Sequence, residues 1–102
     1  MTHSYTRTFT YPRTFTCYRP TPPPEYYEQG AANPPDEPQF EGVIFSDGTV
    51  VLRWLTEYRS HSVWADWASM MAIHGHPEYG TKIEFHDGGP TESGLSANEY
   101  GH

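Results

Sequence analysis

The residues best equipped for chemistry cluster late in the chain, where His74, His76 and His86 stand close to Glu78 and Asp87. Imidazole and carboxylate together suit zinc or another borderline metal. Their spacing argues against convergence: a helix is expected to end between His74 and His76, and a turn and a strand separate His86 from both. The structural reading is that a protonated His74 bonds the last helix carbonyls and complements the helix dipole, while His76 opens the following turn. Cys17 is the sole cysteine, and an isolated thiol in a strand acts as a small apolar group unless a base activates it. No catalytic residue, metal site or cofactor is therefore assigned, and the protein is not expected to be an enzyme.

Aromatic and arginine side chains are the stronger lead. Trp54, Trp64 and Trp67 crowd one short region with Tyr58, and Trp, Tyr and Arg carry a large share of binding energy at protein interfaces. At least two of the tryptophans are needed for the core, because aromatics make up 16% of a chain in which only Leu52 and Leu55 precede Leu95. The expected partner-binding residues are Arg7, Phe9, Arg13, Phe15 and Arg19 of the N-terminal segment, with Trp54 and Tyr58 of the body.

Charge divides these two regions. No acid occurs before Glu25, while Arg7, Arg13 and Arg19 do. All 13 acids follow against only Arg53, Arg59 and Lys82, so the parts carry +3 and −10 within a net charge of −7. An acidic body repels phosphate backbones, which excludes general nucleic-acid binding. No run of about 18 apolar residues is present to span a membrane. A single cysteine and the lack of a leader-like opening stretch point to a reducing cytosol.

The elements that would position these groups are legible in part. Over 1–19 the odd positions hold Tyr5, Arg7, Phe9, Tyr11, Arg13, Phe15, Cys17 and Arg19 while threonines fill most even ones, the period of a strand. Pro12 breaks it. The segment is either an edge strand or arm, or a hairpin folded near Pro12 with Phe9 opposite Phe15 and Thr8 opposite Thr16. Residues 20–39, PTPPPEYYEQGAANPPDEPQ, read as a Pro-rich connector without regular helix or ladder, with Tyr26 and Tyr27 lying back on the domain.

The core is expected over 40–87. Asp47-Gly48 between apolar runs marks a hairpin, and a two-residue turn there sets Phe45 opposite Val50, Val43 opposite Leu52 and Glu41 opposite Trp54. Val43, Phe45, Val50, Leu52 and Trp54 then face the core, leaving Ile44, Val51 and Arg53 on a face that the N-terminal segment would cover. A short strand at 62–64 follows, then a helix from Trp67 to His74 capped by Asp66, ended by Gly75 in the left-handed conformation and buried through Trp67, Met70, Met71 and His74. Thr81, Ile83 and Phe85 alternate as the last strand. The fold class is α+β: a small antiparallel sheet in the order β-β-β-α-β with one short helix on one face, preceded by an extended N-terminal strand or hairpin and followed by a flexible tail over 88–102.

The block EGVIFSDGTVVLRW, the Val-Trp pair, the short helix, His74-Gly75-His76 and the Thr-x-Ile-x-Phe strand resemble a group of small uncharacterised proteins of actinobacteria, haloarchaea and their tailed phages. The stretch from Phe15 to Arg19 is similar to their opening strand. The resemblance implies a phage or mobile-element accessory protein made in the cytoplasm of a bacterial host. The function expected is a non-enzymatic protein-binding factor acting on a host or virion protein. The alternatives are a structural accessory of the phage particle, for which a long arm would thread between subunits, and a small metal-dependent enzyme using the His74, His76 and His86 region.

Overall fold

A computed structural model describes residues 9–30 and 32–94. Six strands form one fully antiparallel sheet in the order β4-β3-β2-β1-β5-β6, with a helix across one face. The strands are β1 (Arg13–Tyr18), β2 (Pro38–Ile44), β3 (Val50–Trp54), β4 (His61–Trp64), β5 (Lys82–Phe85) and β6 (Glu92–Ser93); α1 (Pro24–Glu28) is a single turn and α2 (Trp67–His74) is the packing helix. The expected α+β class and the β-β-β-α-β order across 40–87 are both present.

The N-terminal segment takes a different place from either one expected for it. From Arg13 onward it is a central strand, paired with β2 on one side and β5 on the other, so it is neither arm nor edge. Its period of two drives it there: Phe15 and Cys17 are fully buried beneath α2, whereas Thr14, Thr16 and Tyr18 lie on the opposite face. Pro12 precedes the strand and so removes no ladder donor. The hairpin pairing does not form among the described residues: Phe15 lies between Gly42 and Phe85, and Thr8 is outside them.

The β2–β3 hairpin forms around Asp47-Gly48 but one residue out of the expected register. Ile44 faces Val50, Gly42 faces Leu52 and Phe40 faces Trp54. The loop has three residues, not two: the Gly48 amide donates to Phe45 O (2.9 Å), the Phe45 amide to Thr49 O (2.8 Å), and Gly48 has φ +92°, the pattern of a type I turn closed by a left-handed glycine. A slip of one residue exchanges the faces of a strand. Phe40 and Ile44 therefore enter the core in place of Val43 and Phe45, while Val50, Leu52 and Trp54 remain on the core side. The deciding contact is at Gly42, where a Cβ would stand 2.5 Å from Phe15 Cζ. The Phe15 ring occupies the space that any side chain there would fill.

Helix α2 has the expected bounds. Asp66 is its N-cap, accepting from the Ser69 amide at 2.7 Å, and Met70 and Met71 are buried on the sheet with Trp67 and His74 beside them. Gly75 departs from expectation: it is right-handed (φ −68°) and still donates to Met71 O. The left-handed residue is His76, φ 32°. The cause is Pro77, which disfavours the helical region for the residue before it, so the chain turns at His76 and enters a 3₁₀ turn at Pro77–Tyr79.

Two segments expected to lack structure have it. Pro24 opens α1, a position where its fixed φ and missing N–H cost nothing, and Tyr26 packs edge-on against Tyr79 at 5.9 Å; the Tyr27 side chain is outside the described ones. Asn33 and Gln39 clasp each other, Asn33 N–H to Gln39 Oε1 and Gln39 Nε2 to Asn33 O both at 2.8 Å, while Asn33 Nδ2 reaches Pro38 O and Leu55 O. The Pro-rich stretch is thus fastened to the start of β2 and the residue after β3. Within 88–102, Glu92–Ser93 pairs with β5 and Gly94 packs against the Gly75 carbonyl; residues 95–102 are outside the described ones.

Candidate functional site

Tertiary structure separates the three histidines. His74 lies under the sheet on the helix side, its ring edge-on to Trp54 (5.0 Å) and Trp64 (5.2 Å). His86 is exposed, its Nδ1 2.7 Å from Thr14 Oγ1 and its Nε2 2.6 Å from Thr16 Oγ1. His76 meets Glu78 at 2.9 Å and stacks on Tyr79. Among the described residues, no group of three His, Cys, Asp or Glu side chains could hold a metal ion.

The role expected of a protonated His74 belongs to another residue. Burial, reinforced by the Arg19 charge and by His76, pushes the His74 imidazole down to about 4, so it is neutral at pH 7. Arg19 caps the helix instead: its Nη2 donates to His74 O at 2.6 Å, where a cation complements the helix C-terminus. Arg19 is only 8% exposed and its guanidinium faces the rings of Phe40, Trp54 and Tyr79 at 5.4–5.6 Å. Burial raises the Cys17 thiol to about 12, so it is protonated and inert as a nucleophile at neutral pH.

The expected partner-binding residues fall into three groups. Arg7 is outside the described residues. Arg13, Phe15 and Arg19 are buried and hold the fold together, not exposed as an arm would be: an alternating strand paired on both sides turns its odd positions inward. Trp54 is half-buried against Phe40 at 4.6 Å, Phe9 is half-buried, and Tyr58 is 70% exposed.

Arg13 is the most constrained of these. Its Nε donates to Asp87 Oδ2 at 2.6 Å and its Nη2 to Asp87 Oδ1 at 3.2 Å. Its guanidinium lies 3.6 Å from the Phe9 ring centroid and 3.8 Å from that of Phe85, a planar cation held between two π faces. This stack anchors the chain before β1 to the end of β5.

Above the stack opens a pocket of about 530 Å³, within the range of about 300–1,000 Å³ usual for ligand sites. Its walls come from four places: Tyr11 before β1, Phe45 and Asp47 of the hairpin loop, Trp67 at the start of α2, and Glu92 of β6, with Arg13 and Phe85 at its base. Tyr11 and Phe45 are 43% and 41% exposed, so the rim presents aromatic surface to solvent. The sequence reading missed this site. In the sequence its residues stand apart as single aromatics and acids, and Asp47-Gly48 reads as a turn; Tyr11, Phe45 and Glu92 line one pocket only after the sheet has closed.

No curated protein and no solved structure matches the chain. Residues 40–87, from the buried end of β2 to the carboxylate that grips Arg13, match the model of a family described as Acb5 phage protein, so over that block the chain is similar to a phage-associated protein family.

Proposed function

We propose that this chain is a non-enzymatic accessory factor of a phage or related mobile element that binds a protein of the host or the virion. The observation that carries the reading is the aromatic pocket, whose rim leaves Tyr11 and Phe45 exposed beside carboxylates at one end of the sheet. Aromatic surface rimmed by polar groups is the usual composition of an interface anchor. The site lies within or beside the phage-family block, since Phe45, Asp47, Trp67 and Phe85 all fall inside residues 40–87. The bacterial cytoplasm is the compartment proposed for it. A particle component threaded by an N-terminal arm has less support, because from Arg13 onward that segment is an internal strand.

The test is affinity capture of the tagged protein from infected and uninfected host lysate, run beside Tyr11→Ser/Phe45→Ser. The expected outcome is a protein retained by the wild type and lost by the double variant at unchanged Tm. A wild type that captures no protein refutes the reading, and a captured protein retained by the double variant removes the pocket as its docking point.

A further inference from the structure

We propose that the pocket receives a positively charged side chain, the guanidinium of an arginine or the ammonium of a lysine, presented by the partner protein. The inference rests on the protein-binding reading above and adds the chemistry of the contact.

Three observations converge on a cation. Among the described residues no basic side chain pairs with Asp47 or Glu92, so two carboxylates at the mouth are open to a cation. The Thr49 amide donates to Asp47 Oδ1 at 2.9 Å, and that bond lowers the Asp47 pKa, so the group is a carboxylate at neutral pH. The walls include the aromatic side chains of Tyr11, Phe45 and Trp67, residue types whose π faces attract guanidinium and ammonium groups.

The one basic residue that lines the pocket among the described residues does not oppose this. Arg13 is neutralised by its two bonds to Asp87 and covered by Phe9 and Phe85. It also shows the same chemistry performed within the chain: a guanidinium between aromatic rings with a carboxylate in its plane. An anionic ligand would meet Asp47, Asp66 and Glu92 at the same walls and find no open cation among the described residues. At longer range the net charge of −7 steers basic partners toward the molecule.

The experiment is an NMR titration of the ¹⁵N-labelled protein with acetylated, amidated Gly-Arg-Gly, and with the same peptide carrying lysine, citrulline or glutamate in place of arginine. Saturable shifts confined to Tyr11, Phe45, Asp47, Trp67 and Glu92 are expected with the arginine and lysine peptides. Citrulline, the uncharged isostere, and glutamate should bind at least about fivefold more weakly, and salt should weaken the cationic peptides. Asp47→Asn with Glu92→Gln should reduce the arginine-peptide affinity about fivefold at unchanged Tm, because the Asn oxygen still accepts from Thr49. Phe45→Leu, which keeps apolar bulk and removes the π face, should weaken it too.

Equal binding of citrulline, preference for glutamate, or no saturable shift with any peptide overturns the proposal. Lysate capture separates the two claims. A captured partner retained by Asp47→Asn/Glu92→Gln overturns the pocket as its docking point and leaves the protein-binding reading standing. A positive titration without any captured protein supports the pocket and removes that reading.

Discussion

Two polar residues packed into the interior, one half-buried and one fully buried, show how much side-chain identity matters here. His74 is ordinarily a group with pKa near 6.5 but is held to about 4, first by burial and then by Arg19. Above pH 6.5 it is neutral in both folded and unfolded chains and costs nothing. As pH falls from 6.5 toward 4 the unfolded chain takes up a proton that the folded one refuses, so stability is lost across that window. The loss is about 1–2 kcal/mol once partial exposure is allowed for. His74→Phe keeps a ring between Trp54 and Trp64 and should flatten the fall, as chemical denaturation from pH 7 to 4 would show; a retained slope assigns it to other groups. The second residue is Gln39, buried and clasped to Asn33. Gln39→Ala strands the Asn33 amide and should cost about 1–3 kcal/mol, readable as a drop in Tm. Removing metal should do nothing to stability: His74, His76 and His86 lie apart, with no metal-holding group among the described residues, and chelator is expected to leave Tm unchanged.

At the scale of elements the hairpin is the decisive unit, and its two glycines act by different means. Gly48 needs its positive φ, while a Cβ there would touch nothing. Gly48→Val should therefore destabilise by at least about 1 kcal/mol through backbone strain alone. Gly42 needs the absence of a side chain, because Phe15 and the Val51 carbonyl fill the space. Gly42→Ala should cost about 1–3 kcal/mol by overpacking and be partly rescued by Phe15→Leu, whereas Gly48→Val should not. Thermal melts of the four variants distinguish the two mechanisms, and rescue of both would refute the register described here.

For the molecule as a whole, the central position of β1 has a plain consequence. Its pairing with β2 and β5 joins the β2-β3-β4 half of the sheet to β5 and β6. Deleting residues 1–19 removes two ladders, Phe15, Cys17 and the Arg19 cap at once. The truncated chain should give no cooperative melt by circular dichroism, even though residues 40–87 remain intact; a two-state melt near the full-length Tm would sink the topology. A triple Arg7, Arg13 and Arg19 to Ser variant should lose stability as well, since two of the three arginines are buried in structural roles.

What the sequence determined by itself is local. The strand period of 13–18, the Asp66 cap, the bounds of α2, the hairpin at Asp47-Gly48 and the alternation of β5 all depend on neighbours in the chain, and each follows from side-chain type and spacing. The candidate site was legible only in fragments, as isolated aromatics and acids. Tertiary structure decided the rest. Asp-Gly is compatible with loops of two or three residues, and Val43, Ile44 and Phe45 put apolar side chains on both faces at the hairpin end of β2, so the register waited on Phe15 filling the space above Gly42. The odd positions of the N-terminal segment carry arginines that read as an exposed charged face, yet Asp87 and the α2 carbonyl at His74, distant in sequence, supply the partners that allow Arg13 and Arg19 to be buried. A buried charge is tolerated only with such partners, and those become visible only when the chain has folded.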